Sequence, residues 1–188
     1  MRKLALAISL LAVSGLTVVA TTALANRGHG GNGGNRFSAK LVGFEETPSE
    51  STPGRGTFRA TVSGDTIHYV LHYSGFEAAE GDTLFSHIHF GQRGVAGGVA
   101  AFLCGGGDKP ACTTGSGTFE GDIDAADIVG PNGQGIAPGQ MDEVITAMRK
   151  GYTYANVHTT LNPAGLIRGQ IMRGHGHGHG HGGGSGHH

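Results

Sequence analysis

The stretch Thr66-Ile-His-Tyr-Val-Leu-His-Tyr73 decides the fold class, because polar and apolar residues alternate along most of its length. Successive side chains of a β-strand point to opposite faces, so one face of this segment would be apolar. The other face would carry His68 and His72. This pattern predicts a strand of an antiparallel sheet that is buried on one side and solvated on the other.

Similar short segments, rich in β-branched and aromatic residues, recur along the chain between glycine, proline, serine and aspartate. They predict seven further strands, over Arg36–Gly43, Gly56–Val62, Leu84–Phe90, Gly98–Leu103, Thr118–Ile123, Tyr152–Thr159 and Gly165–Met172. Turn-forming residues predict a surface loop over Gly130–Gln140, and apolar spacing predicts one helix over Met141–Lys150. Many short strands with at most one short helix indicate an all-β antiparallel sandwich or barrel.

The first residues have the features of a secretory signal peptide, with a basic start, an apolar run and Ala23-Leu-Ala25. We expect cleavage after Ala25 and a secreted or periplasmic protein that is not held in a membrane. A membrane anchor is the alternative, but no basic stop-transfer flank follows the run. We expect a flexible leader over residues 26–35, a folded domain over 36–173 and a disordered tail over 174–188.

The charge balance gives little indication of a polyanionic partner. The chain has 13 basic and 14 acidic residues and a net charge of −1. We therefore expect no basic patch for nucleic acid and no polybasic membrane surface.

Cys104 and Cys112 enclose a glycine-rich loop. In an exported chain such a pair is expected to form a disulfide, which would stabilise the fold by roughly 2–3 kcal/mol. Two free thiols or a soft-metal site are the alternatives.

Histidines crowd in the segment Ser86-His-Ile-His-Phe-Gly91. On a strand, His87 and His89 would share a face with Cα atoms about 6.6 Å apart, and both could bind one metal ion. On the strand Tyr152–Thr159, His158 would share a polar face with Asn156. A pair of surface histidines and a structural His158 are the alternatives.

Three imidazoles from two strands would leave a coordination position open, as in an exchangeable or reactive metal site. We expect Asn156 to hold an imidazole N–H. His68 and His72 are weaker candidates for a fourth ligand, the alternative being that they face solvent. The Gly-His tail should bind metal ions weakly through His175, His177, His179, His181, His187 and His188.

Three motifs together resemble the CHRD domain, which is named after chordin and is common in exported bacterial proteins. They are His87-Ile-His89-Phe-Gly91, Tyr154-Ala-Asn-Val-His158-Thr and the segment from Asn162-Pro-Ala-Gly165 to Arg168-Gly-Gln-Ile171. The similarity covers roughly Phe37 to Ile171. It implies an immunoglobulin-like β-sandwich.

A more distant resemblance is to copper-zinc superoxide dismutase. It implies that His87, His89 and His158 match copper ligands. Neither the metal-bridging histidine nor the zinc loop of that family is recognisable, and the cysteines are spaced differently. Arg168 lies near that family's substrate-guiding arginine at a different offset, and we expect a structural role for it. Cupins also contain His-x-His, but here Arg93 and Gly94 stand where their glutamate is required.

Three functions follow as hypotheses. The first is an exported protein that binds a transition metal, copper before zinc, for storage, buffering or delivery. The second is an extracellular module that binds a protein partner, as the resemblance to chordin implies. The third is an enzyme similar to superoxide dismutase.

Overall fold

The structure is a computed structural model that describes residues 35–174 of the 188-residue chain. The expected signal peptide, nearly all of the leader and the tail histidines lie outside these residues. Within them, no helix is long and apolar enough to cross a membrane.

The described residues form nine strands and one α-helix. The strands are β1 (Arg36–Val42), β2 (Arg55–Ser63), β3 (Thr66–Ser74), β4 (Thr83–Phe90), β5 (Gly98–Cys104), β6 (Gly117–Ile123), β7 (Thr153–Thr159), β8 (Ile167–Gln170) and β9 (Met172–Arg173). The helix α1 (Met141–Arg149) lies between β6 and β7.

All paired strands are antiparallel and belong to one sheet. Their order is β5-β4-β7-β8-β1-β2-β3-β6, and β9 pairs with β1. The sheet folds over itself and brings β3 against β5. A hydrogen bond shows this contact: the Tyr69 hydroxyl on β3 donates to the Leu103 carbonyl on β5 at 2.7 Å. This nearly closed sandwich with one short helix confirms the predicted fold class.

The inner face of the folded sheet forms one hydrophobic core. Fully buried side chains come from strands far apart in the sheet order, among them Leu71, Ile88 and Leu103. The helix adds its apolar side, including Val144 and Met148, to the same core. Burial of these side chains is the main term that stabilises the fold.

Strands β1, β2 and β3 alternate between buried and exposed residues along their length. The alternation predicted from residues 66–73 is therefore present, with His68 and His72 on the exposed face. In contrast, every residue of β7 is buried, so the polar face predicted for this strand is not solvated.

The end of the sheet differs from the sequence prediction. The strand expected over Gly165–Met172 is divided into β8 and β9, with Ile171 between them. Gly165 lies before β8 at a φ of 134°, a conformation that favours glycine and that belongs to a turn.

Cys104, at the end of β5, forms a disulfide with Cys112 at a Cα–Cα distance of 5.2 Å. The enclosed loop also closes through the Gly105 N–H, which donates to the Pro110 carbonyl at 2.8 Å. The predicted disulfide is thus confirmed.

Gly169 marks a close approach between β8 and β1. A Cβ atom at Gly169 would lie 2.2 Å from the carbonyl oxygen of Lys40. Replacing Gly169 with alanine should lower the free energy of unfolding by about 1–3 kcal/mol, because the two backbones must move apart. Urea unfolding measures this loss. Gly133→Ala, where a Cβ meets open space, is the control; equal losses in the two variants would contradict the packing described.

Candidate metal centre

The pairing of β4 with β7 positions the three histidines of the candidate site. His87 lies opposite Asn156, His89 opposite Tyr154, and Phe85 opposite His158. His158 is therefore one step diagonal to His87 on the same face of the sheet, within side-chain reach.

The imidazoles of His87, His89 and His158 meet at one point. Each offers a ring nitrogen, and these atoms lie within 4.8 Å of one another. The closest pair is His87 Nδ1 and His158 Nε2, which are 3.1 Å apart. The structure thus brings together the three histidines that the sequence singled out.

Aromatic side chains cover this cluster, which is why its face is buried rather than solvated. The three histidines are only 5–6% exposed. The ring of Phe102 packs edge-on against His87 at a centroid distance of 4.5 Å, and Phe85 lies 5.0 Å from the same ring. The alternative that His87 and His89 are surface histidines is therefore wrong, because these aromatic neighbours cover them.

Main-chain carbonyls determine which nitrogens carry hydrogen. Nδ1 of His89 lies 3.0 Å from the Gly97 carbonyl, and Nδ1 of His158 lies 3.0 Å from the Pro163 carbonyl. A carbonyl only accepts, so both Nδ1 atoms are N–H donors and both Nε2 atoms hold lone pairs. His87 Nδ1 then donates to His158 Nε2.

The three nitrogens are suited to bind a metal ion. His89 Nε2 is buried and has no hydrogen-bond partner among the described residues. His158 Nε2 offers a lone pair, and His87 Nδ1 does so once its proton moves to Nε2. Orientation of metal-binding imidazoles by hydrogen bonds from their second nitrogen is the usual arrangement in proteins.

A stack of side chains supports His89. The Tyr154 ring is parallel to the His89 ring at a centroid distance of 4.7 Å, and the Arg168 guanidinium lies 3.5 Å above the Tyr154 centroid. Arg168 also donates to the carbonyls of Gln92 and Val95, each at 2.9 Å. The cation–π contact and these hydrogen bonds fix the loop over the cluster.

In the comparison with known proteins, the family model CHRD domain matches residues 37–171. The chain belongs to the CHRD domain family. No curated protein and no solved structure matches it. The three histidines lie within the residues that the family model covers.

Asn156 has a different role in this CHRD domain from the one expected. Its side-chain amide donates to Glu46 and, at 2.9 Å, to the Ile167 carbonyl, rather than to an imidazole. The carbonyls of Gly97 and Pro163 already satisfy the imidazole N–H groups, which leaves the Asn156 amide free for these contacts.

Glu46 is buried beside Asn156. Burial raises the pKa of Glu46 to about 7, opposed by the hydrogen bond from Asn156 and the charge of Arg168. Sequence reasoning gave no signal for this contact, since the two residues are 110 positions apart.

The weaker metal-ligand candidates lie elsewhere. His68 pairs with Asp122 and His72 with Thr118, both on the exposed face of β3 and β6. Neither joins the buried cluster. The tail histidines lie outside the described residues.

Sequence reasoning also missed Gly97, whose carbonyl accepts from His89. A Cβ at this position would lie 1.8 Å from the Phe90 carbonyl, so only glycine fits. The glycine-rich segment after His89 was the available signal.

All three imidazoles are held neutral. Burial lowers the pKa of His87 from 6.5 to about 3, with further lowering by the His158 and His89 charges. Burial lowers the pKa of His89 to about 4 and also lowers that of His158. Neutral imidazole is the form that binds metal ions.

The pH dependence of stability follows from these shifts. Below pH 6.5 the unfolded chain protonates all three imidazoles, whereas the folded domain keeps His87 and His89 neutral down to about pH 4 and binds a proton less readily at His158. Each imidazole that stays neutral in the folded domain then lowers the free energy of unfolding by about 1.4 kcal/mol for every unit by which the pH falls. Between pH 6.5 and 4.5 Glu46 acts in the opposite direction, because it binds its proton more tightly when folded.

Metal-free protein should therefore lose stability as the pH falls from 6.5 towards 4.5, at a net slope between about one and two protons. Urea unfolding at a series of pH values, with a chelator present, measures the slope. The variant His87→Gln/His89→Gln/His158→Gln should show a flatter profile. An unchanged slope in this variant would contradict the assignment of buried neutral imidazoles.

Proposed function

We propose that this CHRD domain binds one transition-metal ion, most favourably copper, through His87, His89 and His158. The role would be to store, buffer or deliver the ion outside the cytoplasm. The observation that carries the proposal is the convergence of three buried imidazoles whose ring nitrogens lie within 4.8 Å of one another.

The donor geometry supports this proposal. With metal–nitrogen bonds of about 2 Å, two nitrogens on one ion can lie at most about 4 Å apart. The 3.1 Å separation between His87 Nδ1 and His158 Nε2 meets this limit. The widest separation, up to 4.8 Å, needs only a small rotation of the rings.

Binding a metal would also relieve an unfavourable feature of the domain. His89 Nε2 is buried without a hydrogen-bond partner among residues 35–174. Leaving a buried polar atom unpaired costs about 1–3 kcal/mol. A metal ion would supply the missing partner.

Copper is favoured over zinc by the order of metal affinities at nitrogen sites. Imidazole suits both ions, but affinities of nitrogen sites follow the Irving–Williams order, in which copper exceeds zinc. Zinc is the alternative cargo. Both ions prefer the neutral imidazoles that burial maintains here.

The site is proposed to be mononuclear. Within the described part of the chain, this trio is the one group of three His, Cys, Asp or Glu residues at metal-binding distance. A carrier role requires one site of this kind, whereas the dismutase resemblance implies a second, bridged metal. We therefore place storage, buffering or delivery before turnover.

Two further features support an extracytoplasmic role. The Cys104–Cys112 disulfide suits an oxidising compartment, and the first 25 residues have the pattern of a signal peptide. The Gly-His tail would add weaker sites that collect ions near the domain.

Metal titration of a tail-deleted protein ending at Gly174 tests the proposal. This protein should bind about one Cu²⁺ tightly, and the variant His87→Ala/His89→Ala/His158→Ala should bind it at least 100-fold more weakly, because the imidazoles are the ligands. Competition against a chromophoric chelator measures the affinities.

The matched control is His68→Ala/His72→Ala, which removes two exposed histidines outside the cluster. It should leave the tight site unchanged. If the triple variant stays folded and binds copper as tightly as its parent, the proposed site does not exist, and the protein-interaction hypothesis gains support.

A further inference from the structure

Exposed cations gather on the outer face of β1 and β2. The exposed positions of these strands carry Arg36 and Lys40 on β1 and Arg55 and Arg59 on β2. None of their exposed positions carries an acidic residue. The expectation of no basic patch was drawn from the near-neutral net charge, which averages over faces that the fold separates.

The strand register arranges these four cations in a zigzag. Arg59 pairs with Ser38, two residues along β1 from both Arg36 and Lys40, and Arg55 pairs with Val42, two residues beyond Lys40. Successive cations are therefore about 6.6 Å apart along the strand direction. They alternate between β1 and β2, two neighbouring strands about 4.8 Å apart. We call this row of four cations the basic face.

A groove lies beside the basic face. It has a volume of about 440 Å³ and is lined in part by Lys40, Arg59 and Arg93. Glu45 also lines the groove and pairs with Arg93. Among the described residues, the four cations of the basic face form no ion pair. Their charges are therefore available to a partner.

We propose that the basic face binds a linear anionic polysaccharide that carries sulfate or carboxylate groups. Regularly spaced guanidinium and ammonium groups match the repeating charges of such a chain, and arginine forms paired hydrogen bonds with these oxyanions. Between the cations lie the exposed hydroxyls of Ser38, Thr57 and Thr61, which can bond to sugar hydroxyls.

Other anionic partners fit this face less well. Its exposed positions on β1 and β2 include no aromatic side chain on which a nucleobase could stack. Val42 is the one apolar side chain among them, which gives little surface for insertion into a lipid bilayer.

The chain itself does not supply a matching anion. All of its acidic residues lie between Glu45 and Glu143, so the segments outside the structure contain none. A second copy that presented the same face would meet like charge. Charge complementarity therefore points to a separate polyanion.

Binding of the full-length mature protein to dextran sulfate at pH 8 tests this inference, with uncharged dextran as the polymer control. At this pH the tail histidines are neutral. The variant Arg36→Gln/Lys40→Gln/Arg55→Gln/Arg59→Gln should bind at least 10-fold more weakly. The slope of log affinity against log salt should also decrease by about two to four, since fewer counterions are released.

Two control variants test whether binding depends on the arginines of the basic face or only on the net charge of the protein. The variant Arg36→Lys/Arg55→Lys/Arg59→Lys keeps the charges but loses the paired hydrogen bonds of arginine, so its affinity should lie between those of the parent and the glutamine variant. The variant Ala125→Glu/Ala126→Glu adds two negative charges at exposed positions on a turn after β6, outside β1 and β2. It should bind within about 2-fold of the parent.

Thermal unfolding verifies that each variant is folded, as expected for substitutions at exposed positions. Equal binding by the folded glutamine variant and its parent would overturn the proposal, as would an equal loss in the Ala125→Glu/Ala126→Glu variant. Tighter binding of the parent to single-stranded DNA or to phosphatidylglycerol vesicles than to dextran sulfate would overturn the assignment to a polysaccharide.

Discussion

The antiparallel ladder between β4 and β7 is the constraint on which the candidate site depends. Its register places His158 diagonal to His87 and sets Tyr154 opposite His89. A shift of one residue would turn His158 to the opposite face and separate it from the other two histidines. The buried alternate residues of the same strands, Ile88 and Ala155, stabilise this register from the core side.

Both faces of β7 are buried, so the protein encloses the histidine cluster. Burying three imidazoles requires partners for their polar atoms. Main-chain carbonyls of Gly97 and Pro163 supply two of these partners, and the loop that contains Gly97 is held by Arg168 and Tyr154. The aromatic cover then excludes water and keeps the imidazoles neutral. Backbone geometry and packing together keep these imidazoles neutral, as the proposed metal site requires.

Much of the fold could be predicted from the sequence, because alternation within single strands reports directly on burial. The strands, the single helix and the disulfide each left a local pattern, as residues 66–73 show. The histidines were found in the same way, since His-x-His places two side chains on one face.

The remaining features depend on contacts between distant segments. Glu46 reaches Asn156 across 110 positions, and Phe102 covers His87 from a neighbouring strand. The basic face escaped prediction for a related reason: Lys40 and Arg59 become neighbours only after β1 pairs with β2. The alternation of residues within one β-strand does not reveal which other strand it pairs with.

The most direct test of the central claim is to identify the ligands of the bound ion. X-ray absorption of the tail-deleted protein with one equivalent of Cu²⁺, combined with pulsed electron paramagnetic resonance, counts the coordinated imidazoles. We expect three imidazole nitrogens at about 2.0 Å from the copper. A spectrum with one imidazole or none, dominated by water or carboxylate oxygens, would contradict it.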